Sequence, residues 1–109
     1  MEVNDYVRTK DGRIYKIGDI GNFIYSKDDV IIQGIIKSSP NIIDLIEEND
    51  YIRIITDTDF RRVYNSYGKL VIYRESEIEE IPIENFSNKF IGGVITSEQI
   101  ESMEYKVKE

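Results

Sequence analysis

The sequence predicts a β-dominated α+β domain with two antiparallel meanders, a short middle helix and a C-terminal helix. Three observations predict it. Isoleucine dominates the apolar set, tyrosine occurs eight times, and alanine is absent. β-Branched and aromatic side chains suit a pleated, half-buried surface, and the best helix former is missing. Apolar residues alternate over short runs instead of recurring at helical spacing. A nearly identical word opens two such runs: NDYVR at residues 4–8 and NDYIR at residues 49–53.

The first copy predicts strands at about 5–10 and 13–19. Asp11-Gly12 lies between them, and Asp-Gly between alternating runs signals a type I′ hairpin turn. Ser26 to Asp29 is a polar break. An apolar run then predicts a strand at about 30–37, with Gly34 marking a bulge or a close backbone approach. The period changes at SSPNIIDLIEE. Ser39 suits a helix cap and Pro40 its first position, so a helix is expected over about 40–47 with Ile42, Ile43, Leu45 and Ile46 on one face.

The second copy predicts a three-stranded meander at about 50–56, 60–65 and 69–75, with turns at TDTD and at Asn65 to Gly68. Ile78, Ile81 and Ile83 alternate among glutamates, and Pro82 confines that segment to a sheet edge. KFIGGVIT reads as a strand kinked at Gly92-Gly93. Thr96-Ser97-Glu98-Gln99 matches the T-x-x-Q capping box of a last helix over about 97–104. The expected core is Val7, Ile14, Ile17, Ile31, Ile35, Ile43, Ile46, Ile52, Ile54, Val63, Val71, Ile95 and Ile100.

A chain of 109 residues with 40% hydrophobic residues suits a single domain over 1–109. If the repeated word records an internal duplication, its subdomains are 1–37 and 48–95. In each copy Asp precedes the strand and favours a turn, Tyr takes one face with Arg two residues on, and Val7 or Ile52 takes the other. Arg8 and Arg53 are thereby placed to stack on Tyr6 and Tyr51. The alternative origin of the repeat is turn chemistry in a chain rich in Asn, Asp, Tyr and Ile.

Several chemistries are excluded. Neither cysteine nor histidine is present. Disulfides, Cys/His zinc sites, cysteine nucleophiles, Ser-His-Asp triads and histidine acid-base catalysis all require one or the other. The N-terminus has no apolar signal stretch and no window reaches a membrane-spanning length, so a soluble cytoplasmic protein is expected. The net charge is −7. Such a field repels phosphate backbones, which disfavours direct nucleic-acid binding, and it suits a partner with a basic surface. Without a partner, the same charge serves solubility.

Two residue sets are candidate sites. Glu75, Glu77, Glu79, Glu80 and Glu84 form the densest acidic run, as a contact for a basic groove or as a solvated face; Glu98, Glu101 and Glu104 could extend it. Tyr64, Tyr67 and Tyr73 surround one hairpin, with Arg61, Arg62 and Arg74 close in sequence to receive a phosphate or carboxylate. Asp57-x-Asp59 lacks the further ligands of a calcium loop, and Gly18 to Asn22 lacks the Lys-Ser/Thr of a phosphate loop. No catalytic residue, cofactor or metal site is expected.

Two resemblances add to this reading. Asp5, Tyr6, Val7 and the Asp11-Gly12 turn resemble the opening of small SH3-like barrels, with Asn4 where glycine is common. NIIDLIEENDYI at 41–52 and GVITSEQIESMEYKV at 93–107 resemble small phage and prophage proteins of low-GC Gram-positive bacteria, which carry an NIIDLIE-x-GDYV core and a V-T-x-EQ…YKV end. Here Asn49 replaces the usual glycine. The resemblance implies a mobile-element setting. The leading expectation is a non-enzymatic protein-binding module that inhibits or redirects a host defence protein through an acidic surface. The alternative is a homo-oligomeric binder that sequesters a nucleotide signal.

Overall fold

In a computed structural model, the described residues are 1–74 and 78–102. The chain divides into two compact units, Met1–Leu45 and Ile46–Glu109. The fold is β-dominated, with three antiparallel sheets, one short α-helix and short 3-10 turns among the described residues.

The first unit holds β1 (Tyr6–Thr9), β2 (Ile14–Ile20), β3 (Ile24–Ser26) and β4 (Ile35–Ser39) in the order β3-β2-β1-β4. Val7, Ile17 and Ile32 form its buried centre, with Tyr15, Ile24 and Ile35 packed around them. The β1–β2 turn differs from the expected type I′, because Gly12 has φ 81 while Asp11 stays at negative φ. Thr9 and Arg13 close a three-residue loop instead, which needs one left-handed residue. The Thr9 hydroxyl donates to the Asp11 carboxylate and holds that group below its usual pKa.

The segment expected as one strand over 30–37 is two pieces. Ser26 Oγ accepts the N–H of Asp28 at 3.2 Å and of Val30 at 3.1 Å, and Asp29 adopts φ 63. This tight turn folds Ile31 back opposite Tyr25. Gly34, at φ 69, then redirects the chain into β4. The alternation shifts by one residue, so Ile32 is buried and Ile31, expected in the core, is 46% exposed. The middle helix is shorter than expected, a 3-10 turn over Ile42–Leu45. Ser39 caps it, accepting the Asn41 N–H at 3.1 Å and donating to Asp44 at 2.6 Å. Leu45 is buried, whereas Ile43 is only half-buried.

The second unit has β5 (Tyr51–Ile54), β6 (Arg61–Arg62), β7 (Tyr64–Ser66), β8 (Lys69–Arg74), β9 (Glu79–Pro82) and β10 (Ile91–Ile95), followed by α1 (Ser97–Glu101). One sheet has the order β10-β5-β6 and the other β7-β8-β9. The expected meander over 50–75 is therefore split at Val63. That residue is fully buried and donates its N–H to Asp50 O, and the chain changes sheets there. Pro82 lies in the outer strand β9, as its missing donor requires. Thr96 and Gln99 form the expected capping box. The last residues of the helix expected over 97–104 lie outside the described residues. No helix among the described residues is long and apolar enough to cross a membrane.

The repeated word builds the same local structure twice. Asn4 and Asn49 both adopt the left-handed conformation, at φ 75 and φ 74. Asp5 N–H donates to Glu2 O at 3.0 Å, and Asp50 N–H to Glu47 O at 3.1 Å. Each Asn is thus the third residue of a type II turn, a position that favours Gly or Asn. The Asp carboxylate closes the turn from the other side: Glu2 N–H donates to Asp5 at 2.9 Å and Glu47 N–H to Asp50 at 2.7 Å. Asn4 and Asp5 then pair with Ile17, as Asn49 and Asp50 pair with Val63.

The correspondence extends along both neighbours of the word strand. Tyr6 faces Lys16 and Tyr51 faces Arg62, with one more residue in the second hairpin loop. On the other side Val7 faces Ser38 and Ile52 faces Val94. Both pairings then slip by one residue at the same place, past Arg8 and past Arg53. Both arginines donate to main-chain carbonyls. Arg8 is fully buried and donates to Leu45 O at 2.9 Å, and it is Lys16 that lies 5.5 Å from the Tyr6 ring centre. Arg53 donates to Gly92 O at 3.0 Å, where a Cβ on Gly92 would come within 2.8 Å of the guanidinium.

The two turn aspartates differ in burial. Asp50 is fully buried and also accepts the Ser97 N–H at 2.9 Å, whereas Asp5 is half-buried. A charge-assisted hydrogen bond contributes about 1.5–3 kcal/mol. Asp50→Ala is therefore expected to cost about 3 kcal/mol or more, and Asp5→Ala about 1 kcal/mol. Urea unfolding of the two variants checks this, and equal losses would remove burial as the distinguishing cause.

Candidate functional site

One face of the β7-β8-β9 sheet gathers members of both candidate sets. Strand alternation puts Tyr64 and Ser66 of β7, Lys69, Val71 and Tyr73 of β8, and Glu80 and Pro82 of β9 on one side. The pairs Tyr64↔Val71, Val71↔Pro82 and Tyr73↔Glu80 fix their order. Glu80 is the centre of the polar network. It accepts from the Tyr64 hydroxyl at 2.7 Å and from the Ser66 hydroxyl at 2.9 Å. Glu84, in the 3-10 turn that follows β9, pairs with Lys69 at 3.2 Å. The Arg62 guanidinium lies 5.9 Å from the Tyr64 ring centre, at the outer reach of a cation–π contact.

Glu79 is exposed but points to the opposite face with Arg74, its cross-strand partner. Glu75, Glu77 and Glu104 lie outside the described residues. Glu98 and Glu101 are on α1 and not on the sheet that carries Glu80. Tyr67 stands at the β7–β8 turn, fully exposed at φ 53 and followed by Gly68 at φ 85. This is a type I′ turn, where Asn is the favoured first residue and a tyrosine is strained.

The three arginines of the second candidate set do not converge. Asp57 accepts Arg61 Nε at 3.2 Å through one oxygen and Arg74 Nη2 at 3.2 Å through the other. The Asp57 side chain is 11% exposed, so both guanidiniums are committed in a largely covered site. Arg62 points elsewhere, donating to Asn49 Oδ1 at 3.3 Å. This arrangement explains the TDTD segment: Asp57 organises a structural ion-pair network. Among the described residues no group of three acidic side chains could hold a metal ion.

Sequence reading overlooked Ser66 and Lys69. Their signal is the period of two that aligns Ser66 with Tyr64 and Lys69 with Tyr73. Compared with known proteins, the chain matches no family model, no curated protein and no solved structure.

The hydrogen bond to Glu80 raises the Tyr64 pKa, helped by partial burial and by the Glu80 charge. A raised folded pKa means that this stabilisation is complete below the unfolded tyrosine value of about 10 and is lost as pH climbs through the folded value. Thermal melts of wild type and Tyr64→Phe should therefore differ most at neutral pH and converge above about pH 10. A difference that stays constant through that range would show that the phenol does not donate to Glu80.

Proposed function

We propose that the chain is a non-enzymatic protein-binding module of a phage or other mobile element. It acts in the bacterial cytoplasm, where it inhibits or redirects a host defence protein that presents a basic surface. The single observation that carries this reading is the exposed Glu80 carboxylate on the outer strand, held by Tyr64 and Ser66 beside Tyr73. A carboxylate fixed by neutral donors loses little side-chain entropy on docking. Tyrosine supplies contact area at similarly low entropic cost. Glu84 adds a second carboxylate to the rim, paired with Lys69.

The setting rests on the NIIDLIEENDYI and GVITSEQIESMEYKV resemblance. We read the first unit as the SH3-like scaffold of the module, a reading supported by its four-stranded antiparallel sheet and tight first hairpin. The nucleotide-sequestering alternative has less support, because Arg61 and Arg74 are both engaged by Asp57.

Affinity capture from a low-GC Gram-positive lysate tests the proposal. Wild type should retain one host protein near stoichiometry. Glu80→Lys with Glu84→Lys, and separately Tyr73→Ala, should each weaken that capture by about tenfold or more. Retention unchanged by the charge reversal would sink the acidic-face reading.

A further inference from the structure

A cleft of about 290 Å³ opens in the second unit, lined by Asn49, Tyr51, Arg62, Ser97, Ile100 and Glu101. It holds one guanidinium and one carboxylate, those of Arg62 and Glu101. Arg13, Arg61, Lys69 and Arg74 each meet a carboxylate within 3.3 Å. Arg62 meets only the neutral Asn49 carboxamide and the Tyr64 ring, and Glu101 makes no ion pair among the described residues. A cation and a carboxylate thus share one cleft without joining each other. Asn49 is itself pinned by the type II turn, so the guanidinium is held by a fixed partner. Tyr51 and Ile100, both half-buried, supply apolar wall.

We propose that this cleft binds a free α-amino acid with a large apolar side chain, as its zwitterion. The ligand carboxylate meets the Arg62 guanidinium, the ammonium meets Glu101, and the side chain lies on Tyr51 and Ile100. Charge selects this class over its neighbours. The chain carries −7, which opposes a ligand of net negative charge such as a nucleotide. A zwitterion has no net charge and complements both cleft groups, whereas a simple acid or amine leaves one of them unmatched. The volume, at the lower end of the roughly 300–1,000 Å³ of small-molecule sites, suits a compact ligand.

The first unit provides an internal control. Tyr6 and Lys16 occupy the register positions of Tyr51 and Arg62, but Lys16 lies over the Tyr6 ring. Its terminal 3-10 turn ends on buried Leu45, where α1 ends on exposed Glu101. Binding therefore belongs to the second unit.

Backbone NMR titration of the full chain tests this, with L-phenylalanine and L-leucine as probes. N-acetyl-L-phenylalanine removes the ammonium charge and L-phenylalaninamide the carboxylate. Saturable shifts are expected in the millimolar range for the free amino acids, confined to residues 49–51, 62 and 97–101. Each capped form should bind about tenfold more weakly, the loss of one charge-assisted hydrogen bond. Arg62→Gln and Glu101→Gln should each weaken L-phenylalanine by about tenfold, and Lys16→Gln should leave it unchanged. The amide spectra of the variants report that they fold. No saturable shift from either free amino acid overturns the proposal, as does capped ligand binding as tightly as free. Neither result touches the protein-binding reading, whose Glu80 and Tyr73 lie outside the cleft.

Discussion

One buried carboxylate organises the second unit. Asp50 has no solvent exposure, and it sits where a turn, a strand return and a helix meet. One carboxylate oxygen takes the Glu47 N–H, the other takes the Ser97 N–H, and the main-chain carbonyl takes the Val63 N–H. A carboxylate withdrawn from water is tolerated only when donors replace the water, so these three contacts stand or fall together. They fix where the strand with Tyr51 begins, where the chain leaves for the second sheet at Val63, and where α1 starts. The cleft and the tyrosine-bearing face both inherit their geometry from that point. In the first unit Asp5 performs the turn and return functions alone, and it remains half-buried.

The charged side chains follow from strand alternation. Arg61 and Arg62 are adjacent in sequence, so they leave opposite sides of the strand. Arg61 turns to Asp57 and is joined there by Arg74, while Arg62 turns to Asn49 and Tyr64. A cluster of three arginines in the sequence thus becomes a structural pair and one cation turned to neutral partners. The glutamates divide in the same way, with Glu80 on the face of Tyr64 and Glu79 on the face of Arg74. What distinguishes the candidate face is the ordering of its charge, with Glu80 fixed by two hydroxyls.

Local features were legible in the sequence. The first hairpin, the Asn65 to Gly68 turn, the edge strand with Pro82 and the Thr96–Gln99 capping box all depend on residues within a few positions of one another. The repeated word was legible as a turn followed by a strand. Its full extent was less so: Glu2 and Glu47, three residues before each aspartate, complete the type II turn, and E-x-N-D is the fuller signal. Features set by distant partners were not legible. β5 pairs with β10 across a long stretch of intervening chain, and no short-range pattern reports that. The break near Val30 comes from the Ser26 hydroxyl, which reads as an ordinary polar residue until its two acceptor contacts are seen. The cleft joins Asn49, Arg62 and Glu101, which share no periodicity.

β6 and β9 each stand at the end of a sheet, where an outer rim invites another chain. The rims are guarded by different means. β6 is only two residues long, and both are arginine. β9 carries Glu79 and Glu80 together with Pro82. The glutamates repel another acidic chain by their charge, and salt screens that repulsion. The proline is indifferent to salt, because it has no N–H to offer under any condition. Protection of this edge therefore rests on two safeguards, one that salt can screen and one built into the covalent chain.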